Sequence, residues 1–144
     1  MKFLKNVKII LFLSILIGFS SCENYYTDDF FRNSDEKLCN RLWERTYLIN
    51  DKLCTHQLIF REAPLISSET FEYREKKNSN WNDIAYLIQS YSFYWEWSDK
   101  ELEGIIIKHP LDGILFFDNV WIRTHYLSGN LSGEEVTFFG QNVR

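Results

Sequence analysis

The chain has 144 residues, of which 16 are basic and 20 acidic, and 17% of the residues are aromatic. This length suits one domain with a hydrophobic core and is short for two. The acidic balance argues against nucleic acid and anionic lipid headgroups as partners, because both bind clustered Lys and Arg side chains.

The N-terminal residues have the charge and hydropathy pattern of a secretory leader. Lys2, Lys5 and Lys8 occur without any acid before an apolar run of eleven residues, Ile9 to Phe19. A helix needs about 18 to 20 apolar residues to cross a bilayer, so the run is too short for a permanent membrane span. The pattern predicts a cleavable signal peptide over residues 1–21.

The end of this leader, Phe19-Ser20-Ser21-Cys22, resembles the lipobox of bacterial lipoproteins. The resemblance implies cleavage before Cys22, a diacylglycerol on its sulfur and an acyl chain such as palmitate on its amino group. Several chains anchor a protein far more firmly than one. The implied location is the cell envelope, at the outer membrane. Ordinary secretion with Cys22 as a plain thiol is the alternative.

Two further cysteines remain in the mature chain, which carries 13 basic and 20 acidic residues for a formal charge of −7. Outside the cytosol Cys39 and Cys54 could form one disulfide, and a loop of about 15 residues would gain about 3 kcal/mol in the chain-entropy model. A free buried thiol that fills apolar space is the alternative.

Residues 22–37 are predicted to tether the lipid to the domain. Glu23 to Lys37 contains five acids and no Gly or Pro. Its aromatic residues make it more apolar than a typical disordered linker, so we expect a partly ordered segment, docked on the domain or at the membrane interface. The domain itself is assigned to residues 38–144.

From residue 38 onward, apolar residues recur mainly at every second position, which is the pattern of β-strands. The segment Leu42 to Ile49 places Trp43, Arg45, Tyr47 and Ile49 on one face. The remaining predicted strands are His56 to Arg61, Thr70 to Arg74, Tyr91 to Trp97, Glu103 to Lys108, Ile114 to Phe117, Val120 to Leu127 and Glu134 to Phe139.

About eight strands at short spacing predict a mostly β domain, an antiparallel barrel or sandwich. Turns are expected at Asp118-Asn119, Ser128-Gly129 and Ser132-Gly133. The segment Asp83 to Tyr91 is ambiguous, since Ile84, Leu87, Ile88 and Tyr91 also fit the spacing of one short helix.

The order of these motifs resembles small lipocalin-like lipoproteins of the Bacteroides group. The residues that carry the resemblance are Leu42-Trp43, Leu58-Ile59-Phe60, Phe93-Tyr94-Trp95-Glu96-Trp97, Leu127 to Gly133 and Val136-Thr137-Phe138. It implies an eight-stranded barrel and an envelope location. Lipocalins also place an Arg from the last strand over a Trp of the first strand. The candidates here are Trp43 and Arg123, the latter on the predicted penultimate strand.

The polar residues suggest no catalytic or metal-binding motif. His56, His109 and His125 lie too far apart in sequence for a metal-ligand spacing. His56 and His125 are expected on strands as surface or satisfied partners, and His109 in a turn before Pro110. A Gly-x-Ser-x-Gly motif is absent from the sequence. We therefore expect neither a cofactor nor an enzymatic activity.

The aromatic content favours a binding protein. Of the 123 residues from Cys22 onward, 22 are aromatic, more than a core of this size needs. The first hypothesis is a cavity for an apolar or glycan ligand, lined by Trp43, Tyr47, Phe93, Trp95 and Trp97. The second is an accessory subunit that docks onto a larger outer-membrane complex through an exposed aromatic patch. A hydrolase is the third.

Overall fold

A computed structural model describes residues 32–77, 80–82 and 84–142 of the chain. This part contains a four-residue helix, α1 (Asp35–Leu38). Its strands are β1 (Arg41–Ile49), β2 (Lys52–Ile59), β3 (Ser67–Arg74), β4 (Lys76–Lys77), β5 (Asn80–Trp81), β6 (Leu87–Trp97), β7 (Ile105–His109), β8 (Gly113–Ile122), β9 (Tyr126–Leu131) and β10 (Glu134–Asn142). The leader, Cys22 and most of the predicted tether lie outside the described residues.

Eight of these strands form one closed antiparallel barrel, which confirms the barrel and excludes the sandwich. Each strand pairs with the next along the chain, and β10 returns to pair with β1, from Arg41 opposite Asn142 to Glu44 opposite Phe139. The short strands β4 and β5 pair only with each other, in the connection between β3 and β6. Closure satisfies the hydrogen-bonding edges that an open sheet would expose.

Alternation along the strands decides which side chains fill the barrel. On β1, Trp43 is buried and pairs with Leu58 of β2, whereas neighbouring Thr46 and Leu48 face outward and are exposed. Successive side chains of a strand point to opposite faces. The resulting core comprises Trp43, Leu58, Phe60, Phe93, Ile105, Ile107, Phe117, Val120, Ile122, Leu127, Val136 and Phe138, with Leu38 and Cys39 from the segment before β1.

The structure differs from the sequence prediction at several places. Leu87 to Tyr91 belong to β6 and pair with β3, so the short-helix alternative for this segment is wrong. Residues of the predicted strands on either side of Asp118-Asn119 form the single strand β8, with a bulge between Asp118 and Trp121. A bulge bends a strand without ending it, which explains why Asn119 has a positive φ within β8.

The bounds of β9 also differ from the prediction. Ser128-Gly129 lies inside β9, and Arg123 lies in the connection between β8 and β9. Arg123 stacks on Trp121 at 4.5 Å, whereas Arg41 lies over the Trp43 ring at 6.0 Å. The guanidinium over the first-strand Trp therefore comes from that same strand. Gly129 is required beside the bulge, because a Cβ there would lie 2.7 Å from the Asp118 carbonyl oxygen.

Residues 32–40 close one end of the barrel, which we call the helix end; β1 begins there and β6 and β8 end there. The Trp43 Nε1 donates to the Leu38 carbonyl at 2.8 Å, and Trp97 Nε1 donates to the Asp35 carboxylate at 2.6 Å. The fully buried Asn33 donates to the carbonyls of Leu102 and Val120. Part of the segment assigned to the tether thus packs against the barrel.

Replacing Asn33 by Ala should destabilise the domain by about 3 kcal/mol. The substitution leaves the Val120 carbonyl and the Ile122 N–H without their buried partner, and each such group costs about 1–3 kcal/mol. Urea unfolding followed by tryptophan fluorescence measures the loss. Ser34→Ala, which removes only the N-cap of α1, is the control and should cost about 1 kcal/mol. Equal small losses for both variants would contradict this role for Asn33.

Candidate functional site

The structure distributes the five aromatic residues predicted to bind ligand between the two halves of the barrel. Trp43 and Phe93 are buried in the core, and Trp95 and Trp97 pack against it. Trp95 Nε1 donates to the Arg61 carbonyl at 2.8 Å. These four residues therefore contribute to the packed helix-end half. Tyr47 lies apart from them, near the end of β1, and is half-buried.

The opposite end, which we call the polar end, lies where β1, β3 and β7 finish and β10 starts. Four inward-facing rings in this half are only half-buried: Tyr47, Phe71, Tyr73 and Tyr91. At the helix end, the inward-facing rings of Trp43 and Phe93 have 0% and 1% of their surface exposed, and those of Trp95 and Trp97 are partly buried against the core. Each of the four rings at the polar end is therefore partly accessible to solvent.

Charged side chains lie between these rings. Glu69 of β3 contacts two histidines with its two oxygens: Oε1 lies 2.6 Å from His56 Nε2, and Oε2 lies 3.0 Å from His109 Nε2. All three side chains are buried. The barrel brings them together because His56, Glu69 and His109 face inward from β2, β3 and β7. A buried carboxylate needs such partners, since an unpaired charge in the interior is strongly unfavourable.

Aromatic rings hold the two imidazoles in place. His56 stacks on Phe71 with 4.3 Å between ring centroids, and Tyr91 meets His109 edge to face at 5.1 Å. Phe71 and Tyr91 also meet each other edge to face, with 6.4 Å between their ring centroids. The two half-buried rings thus form one aromatic surface beside the buried cluster.

Arg45 crosses the interior beside this cluster. Its Nε donates to His56 Nδ1 at 3.3 Å, and its Nη1 lies 3.0 Å from Glu134 Oε1. The guanidinium also lies over the rings of Tyr47 and Phe138, at 4.4 and 5.2 Å. Arg45 thus links the buried histidine cluster to the rim, where β10 begins with Glu134.

The hydrogen-bond partners assign the proton of the His56 imidazole. Arg45 donates to His56 Nδ1, so the neutral His56 carries its proton on Nε2, which faces Glu69. His109 Nδ1 accepts from the backbone N–H groups of Leu111 and Asp112 and lies 3.2 Å from the Asp112 carboxylate. His109 Nε2 is close to Glu69, but the pair lacks the alignment of a hydrogen bond.

Burial lowers the pKa of His56 below its ordinary value of 6.5, and the charge of Arg45 acts in the same direction. Contact with the Glu69 carboxylate raises the pKa and opposes burial, which is the larger effect. His56 is therefore neutral at neutral pH, consistent with the proton assignment above.

Cys54 lies next to Tyr47 and is a free thiol, as is Cys39, so the disulfide that the sequence allowed is not formed. Register explains this, because Cys54 pairs with Tyr47 near the end of β1, whereas Cys39 precedes that strand. Burial raises the pKa of the Cys39 thiol to about 12, assisted by the charges of Asp35 and Glu62. Burial also raises the pKa of Cys54, whose sulfur is hydrogen-bonded by Tyr47 and Tyr73.

The charged cluster was missed in the sequence because two of its members lie just outside predicted strands. Glu69 precedes the predicted strand at Thr70, and His109 follows the one that ended at Lys108; the real strands β3 and β7 include both residues. One signal was available, since Arg45 was predicted on the same face as Trp43 and Tyr47. An arginine on a core-facing side requires a buried partner or access to solvent.

The outer surface carries an apolar patch of the kind that the accessory-subunit hypothesis predicts. Tyr94 of β6 and Ile114 and Phe116 of β8 are exposed on the outer face, and β7 lies between these two strands. Tyr94 and Ile114 line a shallow groove of about 420 Å³ with Lys108. The three side chains of the patch are on the outer face of the sheet, and the groove beside them is also lined by His109 at the end of β7.

Within the described part of the chain, no helix has the length and hydropathy needed to span a membrane. Among the same residues, no three His, Cys, Asp or Glu side chains are grouped so that they could hold a metal ion. Comparison of the chain with protein-family models, with curated proteins and with solved structures finds no match in any of the three.

Acidification from pH 6.5 to 5 should destabilise the domain through His56. A histidine with a lowered native pKa binds fewer protons than the unfolded chain in this range, so the free energy of unfolding falls as pH decreases. The slope can reach about 1.4 kcal/mol per pH unit. Urea unfolding at several pH values measures it, and the slope should shrink in His56→Gln.

His125→Gln is the matched control, because His125 is exposed and should leave the slope unchanged. An NMR titration of the His56 ring provides an independent measurement on the unmodified chain. A midpoint above 6.5 in that titration would contradict the assignment.

Proposed function

We propose that this protein is a lipid-anchored, non-enzymatic binding protein of the cell envelope whose barrel takes an apolar or glycan ligand at its polar end. The observation that carries the proposal is the contrast between the two ends. At the helix end the rings of Trp43 and Phe93 are fully buried and those of Trp95 and Trp97 pack against the core, whereas Tyr47, Phe71, Tyr73 and Tyr91 all stay half-buried at the polar end. Concave, aromatic-lined sites with a few polar groups are typical of small-molecule binding.

The polar groups at this end support binding rather than nucleophilic chemistry. His56, Glu69 and His109 contact one another, and Arg45 donates to His56 Nδ1. The nearby thiol of Cys54 has a raised pKa, so it is protonated at neutral pH and a poor nucleophile. In this proposal the cluster orients a ligand and does not transform it.

A second candidate function is docking to a protein of the envelope through the outer patch of Tyr94, Ile114 and Phe116. The ligand proposal ranks first because scattered exposed hydrophobic side chains are common on soluble domains. A buried cluster of ionisable groups beside half-buried inward-facing rings is much less common, because burying a charged group such as the Glu69 carboxylate costs free energy.

The lipid anchor is tested by Cys22→Ser. The variant lacks the sulfur that would carry the diacylglycerol, so the protein should move from the membrane fraction to the soluble fraction while keeping its circular dichroism spectrum. Ser20→Ala keeps Cys22 and a small residue at position 20, and it should stay with the membrane. A Cys22→Ser protein that remains in the membrane fraction after an alkaline wash would contradict the anchor.

Ligand binding is tested with the uncharged fluorescent probe N-phenyl-1-naphthylamine and two tyrosine variants of β6. Tyr91→Ala removes an inward-facing ring and should weaken probe binding about tenfold, the effect of an aromatic contact of roughly 1.4 kcal/mol. Tyr94→Ala removes an exposed, outward-facing ring of the same strand and should change nothing. Equal effects of both variants would place the probe outside the barrel.

Competition by envelope glycan fragments in the same titration distinguishes the two ligand classes. Displacement of the probe by the fragments supports a glycan, and displacement by uncharged lipids alone supports an apolar ligand.

A further inference from the structure

We infer that Arg45 anchors an anionic group of the ligand and that Glu134 is the counter-ion that this group replaces. The inference rests on the proposed function and specifies its ligand as a small amphipathic molecule with one carboxylate, sulfonate or phosphate on an apolar body. The observation behind it is that Arg45 and Glu134 form one ion pair, in which Arg45 is largely buried and Glu134 is exposed.

Arg45 is held rigidly inside the barrel. Its side chain is 15% exposed, and the Nε–His56 hydrogen bond and the Tyr47 and Phe138 rings fix the guanidinium from three directions. Cation–π contacts and a directional hydrogen bond restrict the orientation of the planar guanidinium. The Nη1 group therefore points toward the rim whether or not Glu134 occupies its position there.

Glu134 is the exposed member of the pair. Its side chain is 67% exposed at the first position of β10, directly after the Ser132-Gly133 turn. An exposed carboxylate loses little when it leaves its partner for water, and pairs of this kind contribute about 0–1 kcal/mol. Arg45 in contrast keeps an inward-facing charge that favours a counter-ion. A ligand anion can therefore replace Glu134 at low cost.

The second acid of the cluster is not available for this exchange. Glu69 is buried and already contacts His56 with Oε1 and His109 with Oε2. A cationic ligand group would have to displace one of these histidines. An anionic group meets Arg45 first, and the rings of Tyr47, Phe71 and Tyr91 flank the same space and can receive its apolar body. Charge and shape at this end thus favour an anionic amphipath.

The experiment compares two probes with the same aromatic skeleton, uncharged N-phenyl-1-naphthylamine and anionic 8-anilinonaphthalene-1-sulfonate. The protein is the full chain with Cys22→Ser, purified without detergent. At low ionic strength the anionic probe should bind at least several-fold more tightly than the uncharged probe, and added salt should reduce this preference. Arg45→Gln should weaken binding of the anionic probe about 10- to 100-fold and leave the uncharged probe within about twofold.

The direction of the affinity change in Glu134→Gln is the decisive test of the counter-ion exchange. Removing the competing carboxylate should raise the affinity for the anionic probe several-fold, although the substitution deletes an ion pair. Glu135→Gln is the matched control, since it removes the same charge from the neighbouring residue, which alternation places on the outer face. Because Glu134 and Glu135 are exposed, both variants should fold, even if Arg45→Gln does not.

The outcomes separate the inference from the function on which it rests. Binding of both probes with a Tyr91-dependent site, but without a preference for the anion or an effect of Glu134→Gln, overturns the inference and leaves the binding function intact. Failure of both probes to bind overturns the proposed function. A lower affinity for the anionic probe in Glu134→Gln, or equal gains in Glu134→Gln and Glu135→Gln, also overturns the counter-ion exchange.

Discussion

The packing of Trp43 against Gly140 is the contact on which the architecture depends. These residues lie opposite each other in the pairing of the first and last barrel strands. A Cβ at position 140 would lie 2.6 Å from the Trp43 ring, so only glycine leaves room for the indole. The indole N–H in turn donates to the Leu38 carbonyl. One side chain thus joins the closing strand pair to the segment that covers the helix end.

The tightly packed helix-end half offsets the free-energy cost of burying ionisable groups in the polar half. The helix-end half contains the buried rings and aliphatic side chains, whose removal from water supplies most of the stabilising free energy. The polar half contains Arg45, His56, Glu69 and His109, whose burial removes charge from water. A domain can retain such a cluster when its other half is tightly packed. The cost is reduced because each charged group has an ionic or hydrogen-bonded partner.

The barrel contains buried electrostatic contacts and one contact that reaches an exposed side chain. His56 and His109 each contact Glu69 inside the barrel, and Arg45 extends from that group to the exposed Glu134. The inner contacts fix geometry, since their members are buried and ring-stacked. The outer contact can exchange with solvent. The proposed binding of a small molecule rests on this difference between the buried inner contacts and the exposed outer contact.

Several features could be predicted from the sequence because they depend on local periodicity. Alternation places Trp43, Arg45 and Tyr47 on one face of β1, and short strands without long amphipathic helices between them indicate an antiparallel sheet. Strand ends were harder to locate, since pairing with neighbours extends β3 to Ser67 and β7 to His109 beyond the local pattern. The helical spacing from Leu87 to Tyr91 was misleading because pairing with β3 overrides local preference.

The sequence by itself determined the strand-rich class, the inward face of β1 and the presence of a leader pattern ending at Cys22. Only the tertiary structure decided which half of the barrel holds the apolar core and which holds the ionisable groups. It also decided that His56, Glu69 and His109 meet, because residues from three strands become neighbours only through closure and register. The direction of a side chain is set by its own strand, whereas its partners are set by the strands that lie beside it or across the barrel.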